Sequence, residues 1–454
     1  MENKPIIFVS NFHPFISRNV FDSGALAKIA LEAKEVYVFV LKHKEEYLKE
    51  RYEKGNMHII GLDLESAINA PGEVRSRRIA ELFLNTKTKH LHQKIYLSKH
   101  HNYFRYVFAR MIMYLTGLLH PLRFLFRRYV LRNSIESPFD EYFVKYAPTF
   151  TLVTDPFSPY DTLFMKSARK TKTTLVAFIR SWDNFTTKEY LQVCPDRILA
   201  QNEETVEEGV KFHDLPHEYF RLVGVPQFEY YKKYTPISRE EFCAKMGLDP
   251  KKKIILFSPA GDKFSSTDWQ ICEILKQFNQ EGKFLAPVQF LVRLHPMNFT
   301  TLTQFTPDSS FVIDNPNVSL KTRAQKESEM DMQNVNHLAD SLFHADVVLN
   351  TVSSLLIDAA IYDTPVVTVG FDGWEKNVPF VRSVFAEQSN EWMQVLLSKG
   401  LSPVAHNARE LLDFTNAYLV DPTIDESTRA FFVEKHCWKL DGKAPERIAQ
   451  YTLE

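Results

Sequence analysis

Cysteine is scarce in this chain of 454 residues. Cys194, Cys243, Cys272 and Cys437 are the four, and they lie far apart. No pair has the Cys-x-x-Cys spacing of a zinc site, and nothing suggests a disulfide framework. Free thiols in a reducing compartment are the expectation. Charge of one sign is also missing: 55 Lys and Arg against 56 Asp and Glu leave a formal net charge of -1. That argues against a general nucleic-acid binder with a global positive field. No uncharged apolar run approaches the roughly 20 residues of a spanning helix. Met1 to Pro5 leads directly into the apolar run Ile6 to Val9, which reads as a mature start with no signal peptide. A cytoplasmic protein is expected. Several signatures are missing as well. There is no G-x-x-x-x-G-K-[ST], no G-x-G-x-x-G and no G-x-S-x-G. There is no Asp-x-Asp triplet to hold a metal on a donor diphosphate, so no metal and no cofactor are expected.

What is present is a series of short apolar runs, each ending in a polar cluster. Hydrophobic residues make up 44% of the chain and charged residues 24%, ordinary values for a globular protein. Ile6 to Val9, a helical stretch from Ser23 to Glu32, and Val36 to Val40 form a strand–helix–strand unit. Such a unit implies a parallel sheet. Met57 to Ile60, Phe150 to Thr154, Thr174 to Ile179, Arg197 to Ala200 and Phe220 to Val223 extend it. Charged, Pro-containing sequence from Lys232 to Lys253 reads as a linker. The pattern then restarts with Ile254 to Phe257, Val288 to Val292, Ala345 to Asn350 and Val366 to Gly370. The fold class expected is α/β, with two doubly wound Rossmann-type domains facing across a cleft. The expected boundaries are 1–235 for an acceptor-side domain, 236–425 for a nucleotide-donor domain and 426–454 for a helical tail.

Two strings in the second half carry most of the functional signal. Arg293-Leu294-His295-Pro296 and Thr351-Val352-Ser353-Ser354 each follow a buried-strand pattern. Ligands of open α/β sheets bind outside the carboxyl ends of the strands, so two polar tips on neighbouring strands would face one crevice. Pro296 restricts His295 to extended geometry, and Arg293 lies two residues earlier on the same strand face. Both suit a phosphate. Thr351, Ser353 and Ser354 open a helix, where they can cap it or bind an anion. Asp358, four residues after Ser354, can accept from a ribose hydroxyl or simply be solvated. Gly261 permits close backbone approach and Lys263 can reach a phosphate. In the first half, Arg18 and Asn19 and the string Arg180-Ser181-Trp182-Asp183-Asn184 suit the acceptor. A hydroxyl acceptor needs a general base, for which Asp183, Asp155 and His13 are the candidates. Asp183 with Asn184 also reads as an ordinary turn or cap.

The region from about 72 to 132 looks helical and is an insertion in the first domain. Between Tyr103 and Arg132 there is no acidic residue, and six arginines alternate with aromatic and aliphatic side chains. That composition suits a helix lying on a membrane surface. It suits equally two packed helices whose arginines meet solvent or acidic partners. Gly117 and Pro121 favour two helices over one.

The His295-Pro296 and Ser353-Ser354 motifs, with Asp358 after them, resemble the GT-B glycosyltransferase superfamily. They are most similar to the branch of CDP-glycerol glycerophosphotransferases and bacterial surface-polysaccharide transferases. The stretch Ser181 to Asn184 with Thr187-Lys188, and Gly224-Val225-Pro226-Gln227-Phe228, resembles surface-carbohydrate transferases too. The resemblance implies donor-nucleotide binding by the His-Pro and Ser-Ser motifs. It also implies a metal-independent glycosyltransferase that moves a sugar from a nucleotide-sugar donor to a cell-surface glycan or lipid-linked acceptor. Such an enzyme would work at the inner face of the cell membrane, with peripheral contact through 103–132 and no nucleic-acid partner. The polysialyltransferase Asp/Glu-Asp/Glu-Gly motif has no match, which makes sialic acid donors less suitable. The alternatives are a glycerophosphotransferase using CDP-glycerol, a nucleotide-sugar 2-epimerase, and a non-catalytic nucleotide or glycan binding module.

Overall fold

The structure, a computed structural model, describes residues 4–13, 15–295, 300–316, 332–351 and 353–454. Pro296 of the first motif and Val352 of the second lie outside them. Among the described residues, two parallel sheets are built from the apolar runs. The first has seven strands: β1 (Ile6–Asn11), β2 (Glu35–Leu41), β3 (Met57–Leu62), β4 (Phe150–Val153), β5 (Thr174–Phe178), β6 (Arg197–Ala200) and β7 (Phe220–Leu222). The second has six: β8 (Lys253–Ser258), β9 (Val288–Arg293), β10 (Phe311–Asp314), β11 (Val347–Asn350), β12 (Val366–Val369) and β13 (Val404–Ala405). Their orders are β3-β2-β1-β4-β5-β6-β7 and β10-β9-β8-β11-β12-β13. In each half the chain starts in the middle, winds outward, then returns to wind the other way. That reversal creates a crevice beside the first strand.

Near-continuous apolar strands are buried on both faces. Ile7 and Val9 of β1 face the helices Ala25–Glu32 and Ala444–Leu453. Phe8 faces the opposite way, toward Pro159–Ala168 and Asp140–Tyr146. In the second sheet Leu256 and Val348 pack under Pro226–Lys233, Met332–His344 and Leu355–Ile361. Phe257 and Val347 pack under Asp268–Gln280 and Ala408–Val420.

Three expectations change. β9 and β11 are not neighbours, because β8 runs between them. The tip of β8, Ser258, therefore sits between the two motifs. The stretch from Lys232 to Lys253 is not a free linker: it contains the helix Arg239–Met246, whose Phe242 and Cys243 are buried in the second core. Surface charges on that helix mask its apolar side in the sequence. The C-terminal segment is shared between halves. Phe432 of Glu426–His436 packs in the second core, whereas Ile448 and Ala449 of Ala444–Leu453 pack in the first.

The insertion forms the helices Pro71–Leu82, Lys87–His100, Tyr103–Leu118 and His120–Arg132. The chain breaks at Leu119, and Pro121 takes a first-turn position where its missing N–H costs nothing. Arg123 is buried and bonds Asp214. Arg127 donates to the carbonyls of Leu191 and His213. Arg105, Arg128 and Arg132 remain exposed. Among the described residues no helix is long and apolar enough to cross a membrane.

Candidate active site

A cavity of about 260 Å³ lies where the two halves meet. From the second half it is lined by Arg293, His295, Ser353, Ser354 and Asp358, and from the first by Arg18, Asn19, Arg180 and Trp182. Strand tips supply much of this set. β9 ends in Arg293 and delivers His295 two residues on. Ser353 and Ser354 follow β11 and begin the helix Leu355–Ile361. Arg18 and Asn19 lie on a π-helix, Ser17–Asp22, just after β1. Such wide turns recur at functional sites because they re-aim side chains.

The individual groups differ in availability. Arg293 is buried and paired with Asp314, which also bonds His337 at 3.0 Å. Burial would raise the Asp314 pKa, but His337 and Arg293 outweigh it and hold it below the usual carboxylate range. His295 is driven the other way. Burial, then the cation of Lys263, lowers its pKa, so its imidazole is neutral at pH 7. Ser353 Oγ donates to Asn350 Oδ1 at 2.7 Å and accepts from the Leu355 amide at 3.2 Å, so it caps the helix. Ser354 makes no such cap bond and is exposed to the cavity. Asp358 accepts from the Tyr231 hydroxyl at 2.8 Å. Its pKa is raised to about 6 by burial, against the opposing pull of Tyr231 and Arg18.

Other candidates are turned away from the cavity. Thr351 is buried, and its hydroxyl donates to the Ser258 carbonyl at 3.3 Å. The Gly261 amide, a natural phosphate donor at φ 84°, is already bonded to Asp268 Oδ2 at 2.8 Å. Lys263 is exposed over the Phe264 ring, outside the cavity lining. It acts on the site through its charge. Asp155 accepts from Arg180 Nε at 3.1 Å. Both are buried, so this carboxylate orients an arginine. Asp183 accepts from Ser181 Oγ and, at 3.0 Å, from Thr187 Oγ1, closing the turn the sequence also allowed. Asn184 Oδ1 accepts from the Ser181 amide in the same turn. His13 stands behind Phe15, and its pKa falls to about 2 through burial and the charges of Arg180, Lys188 and Lys44. A base that weak removes no proton from a hydroxyl at neutral pH. None of Asp155, Asp183, Asn184 and His13 lines the cavity.

Sequence reasoning missed Phe15, Tyr231 and Leu338, which also line the cavity. Gln227 and Phe228 belong to a stretch already singled out by resemblance, and Ser258 ends a recognisable strand. Phe15 and Tyr231 carried no signal of their own. A further buried acid, Asp161, accepts from Ser10. Burial and the charge of Asp155 push its pKa up to about 8.

With this geometry in hand, comparisons with known proteins place the chain. The family model described as CDP-glycerol:poly(glycerophosphate) glycerophosphotransferase matches residues 194–454, more than half of the chain. No curated protein matches. The fold is shared with UDP-GlcNAc 2-epimerase from Neisseria meningitidis bound to UDP-GlcNAc, at 10% identity and a TM-score of 0.54, covering 99% of both chains. It is shared with a glycosyltransferase from Rickettsia africae ESF-5 at 10% identity and a TM-score of 0.50, covering 100% of this chain and 99% of that one. The wall teichoic acid polymerase TagF aligns at 11% identity and a TM-score of 0.46, covering 99% and 88%. The architecture is that of a GT-B protein, two Rossmann-like domains with helices around parallel sheets.

Proposed function

Because this chain belongs to the CDP-glycerol:poly(glycerophosphate) glycerophosphotransferase family and is a nucleotide-activated transferase, we propose that it moves glycerol phosphate from CDP-glycerol to a hydroxyl of a surface glycan or lipid-linked acceptor. The observation that carries the reading is the convergence of His295, Ser354 and Arg18 from opposite halves on one cavity. The acceptor oxygen attacks the phosphorus that bears glycerol. The new P–O bond forms as the bond to the bridging oxygen breaks, and CMP departs with that electron pair. The hydroxyl proton passes to the neutral imidazole of His295. Arg18 and the Ser354 hydroxyl stabilise the charge on the phosphates. Asp358 receives the ribose hydroxyls through the oxygen that Tyr231 leaves open.

Sugar transfer from a nucleotide sugar is the second reading, favoured by the shared fold with a glycosyltransferase. A membrane-borne acceptor is supported by the helices Tyr103–Leu118 and His120–Arg132, whose outer sides carry exposed Phe104, Val107, Phe124 and Leu125. The test is incubation with CDP-glycerol or UDP-sugars, each with and without a lipid-linked glycan. The expected result is CMP release with glycerol phosphate on the acceptor. UDP release alone moves the assignment to sugar transfer. Isomerisation of a nucleotide sugar without acceptor makes the protein an epimerase. Binding without turnover makes it a binding module.

A further inference from the structure

A second cavity, of about 200 Å³, lies between the helices Lys87–His100 and Tyr103–Leu118 and the segment 380–389 of the second half. Lys87, His90, Lys94 and Arg110 line it together with Tyr106 and Phe380, and among the described residues no carboxylate does. Among the described residues none of the three cations is ion-paired. The Lys94 ammonium sits 3.9 Å from the centre of the Phe380 ring, and the Arg110 guanidinium 6.0 Å from that of Tyr106. Glu391 is near, but its carboxylate takes the Lys87 amide at 3.0 Å. His90 bonds Asn85 at 2.7 Å, and burial followed by the Arg110 charge lowers its pKa. Three like charges around one small cavity repel each other, and an anion among them removes that repulsion. A phosphate group matches both the arginine fork and the lysine point charges.

The position of the cavity says where the phosphate comes from. At 3.6 residues per turn, Tyr106 and Arg110 lie between the buried side of their helix, with Ala109 and Met113, and its exposed apolar side. That outer side carries Tyr103, Phe104, Val107, Met111 and Tyr114, with Phe104 84% exposed. A cationic cavity at the margin of an exposed apolar helix face is the arrangement of a headgroup site at a membrane interface. We propose that this cavity binds the phosphate of an anionic membrane lipid. The inference rests on the reading that the enzyme works at a membrane, and not on which group it transfers.

The experiment is flotation of the full-length protein with vesicles of phosphatidylcholine, alone or doped with phosphatidylglycerol. It compares wild type, the cavity variant K87S/K94S/R110S, and an equal-charge control, R105S/R128S/R132S, on exposed arginines outside the cavity. Losing direct charge-assisted contacts to the phosphate, at about tenfold for each of at least two, the cavity variant falls on the order of 100-fold in affinity for anionic vesicles. The control loses clearly less, and inorganic phosphate competes with wild-type binding only. Equal losses in the two variants would overturn the proposal in favour of a diffuse basic surface. A thermal shift with inorganic phosphate that the cavity variant abolishes, with vesicle binding intact, would overturn the lipid assignment. K94Q keeps the test open should the triple variant fail to fold. CMP release from CDP-glycerol with a detergent-dispersed acceptor is measured on the same samples. It stays unchanged in the cavity variant, which separates failure here from failure of the transferase reading.

Discussion

The two sheet edges that meet at the main cavity use polar residues differently. In the second half, His295 and Ser354 line the cavity just beyond the ends of β9 and β11. In the first half, the tips of β4 and β5 are bonded to themselves: Asp155 to Arg180, and Asp183 to Ser181 and Thr187. From that side Phe15, Arg18, Asn19, Arg180, Ser181 and Trp182 line the cavity. Both edges obey the rule that sites form outside the carboxyl ends of strands. The rule locates an edge but does not say which side chains on it are available. That depends on partners supplied by distant segments.

Removing Asp155 breaks this contrast most severely. Its carboxylate and Arg180 are both buried, so Asp155→Asn leaves a buried guanidinium without its counter-charge. A loss of about 3–5 kcal/mol of stability is expected by denaturant unfolding. A variant as stable as wild type would show the pair to be dispensable. The two adjacent serines sharpen the contrast on the other edge. Ser354→Ala weakens donor binding about tenfold without changing the melting temperature, consistent with one hydrogen bond to a charged group. Ser353→Ala costs about 1 kcal/mol of stability through the lost cap and leaves donor affinity nearly intact. Calorimetric titration and thermal melts on both variants check the pair, and reversed effects would exchange their roles.

The smallest effect is in the pH profile. His295 must be neutral, and its pKa lies below the ordinary 6.5; Asp358 must be ionised, with a pKa near 6. kcat/KM therefore falls on the acid side, below about pH 6, and Asp358→Asn moves the limb lower. Folding raises the Asp358 pKa from 3.8 to about 6. Its contribution thus favours the fold below about pH 4 and is lost as pH rises through about 6. An acid limb on activity is then not unfolding driven by Asp358. A flat profile from pH 5 to pH 8 would remove both groups from the chemistry.

Much of this molecule was legible in the sequence. Parallel strands buried on both faces read as continuous apolar runs, so the strand–helix alternation of both halves was visible. So were the two motifs at strand ends. Strand order was not, because nothing in Val288 to Val292 or Val347 to Asn350 says that β8 separates them. Short strands without a strong apolar run, Phe311–Asp314 and Val404–Ala405, were also missed. Availability was the larger gap. Gly261 looked ready for a phosphate, yet Asp268, seven residues later, occupies its amide. Arg123 read equally as a membrane-facing cation or as one that meets an acidic partner, and that partner, Asp214, lies 91 residues away. Tyr231 carried no signal in the sequence, yet its hydroxyl donates to Asp358 across 127 residues.

The most direct measurement is the single-turnover rate of CMP release from CDP-glycerol by His295→Asn and Asp183→Asn beside wild type. The account predicts a fall of about 10²–10³ for His295→Asn with unchanged unfolding, the size seen when one preorganised catalytic contact is removed. It predicts a rate within about threefold of wild type for Asp183→Asn, whose carboxylate only closes a turn. A folded Asp183→Asn protein with no activity, beside an active His295→Asn, would place the chemistry on the first half and contradict it.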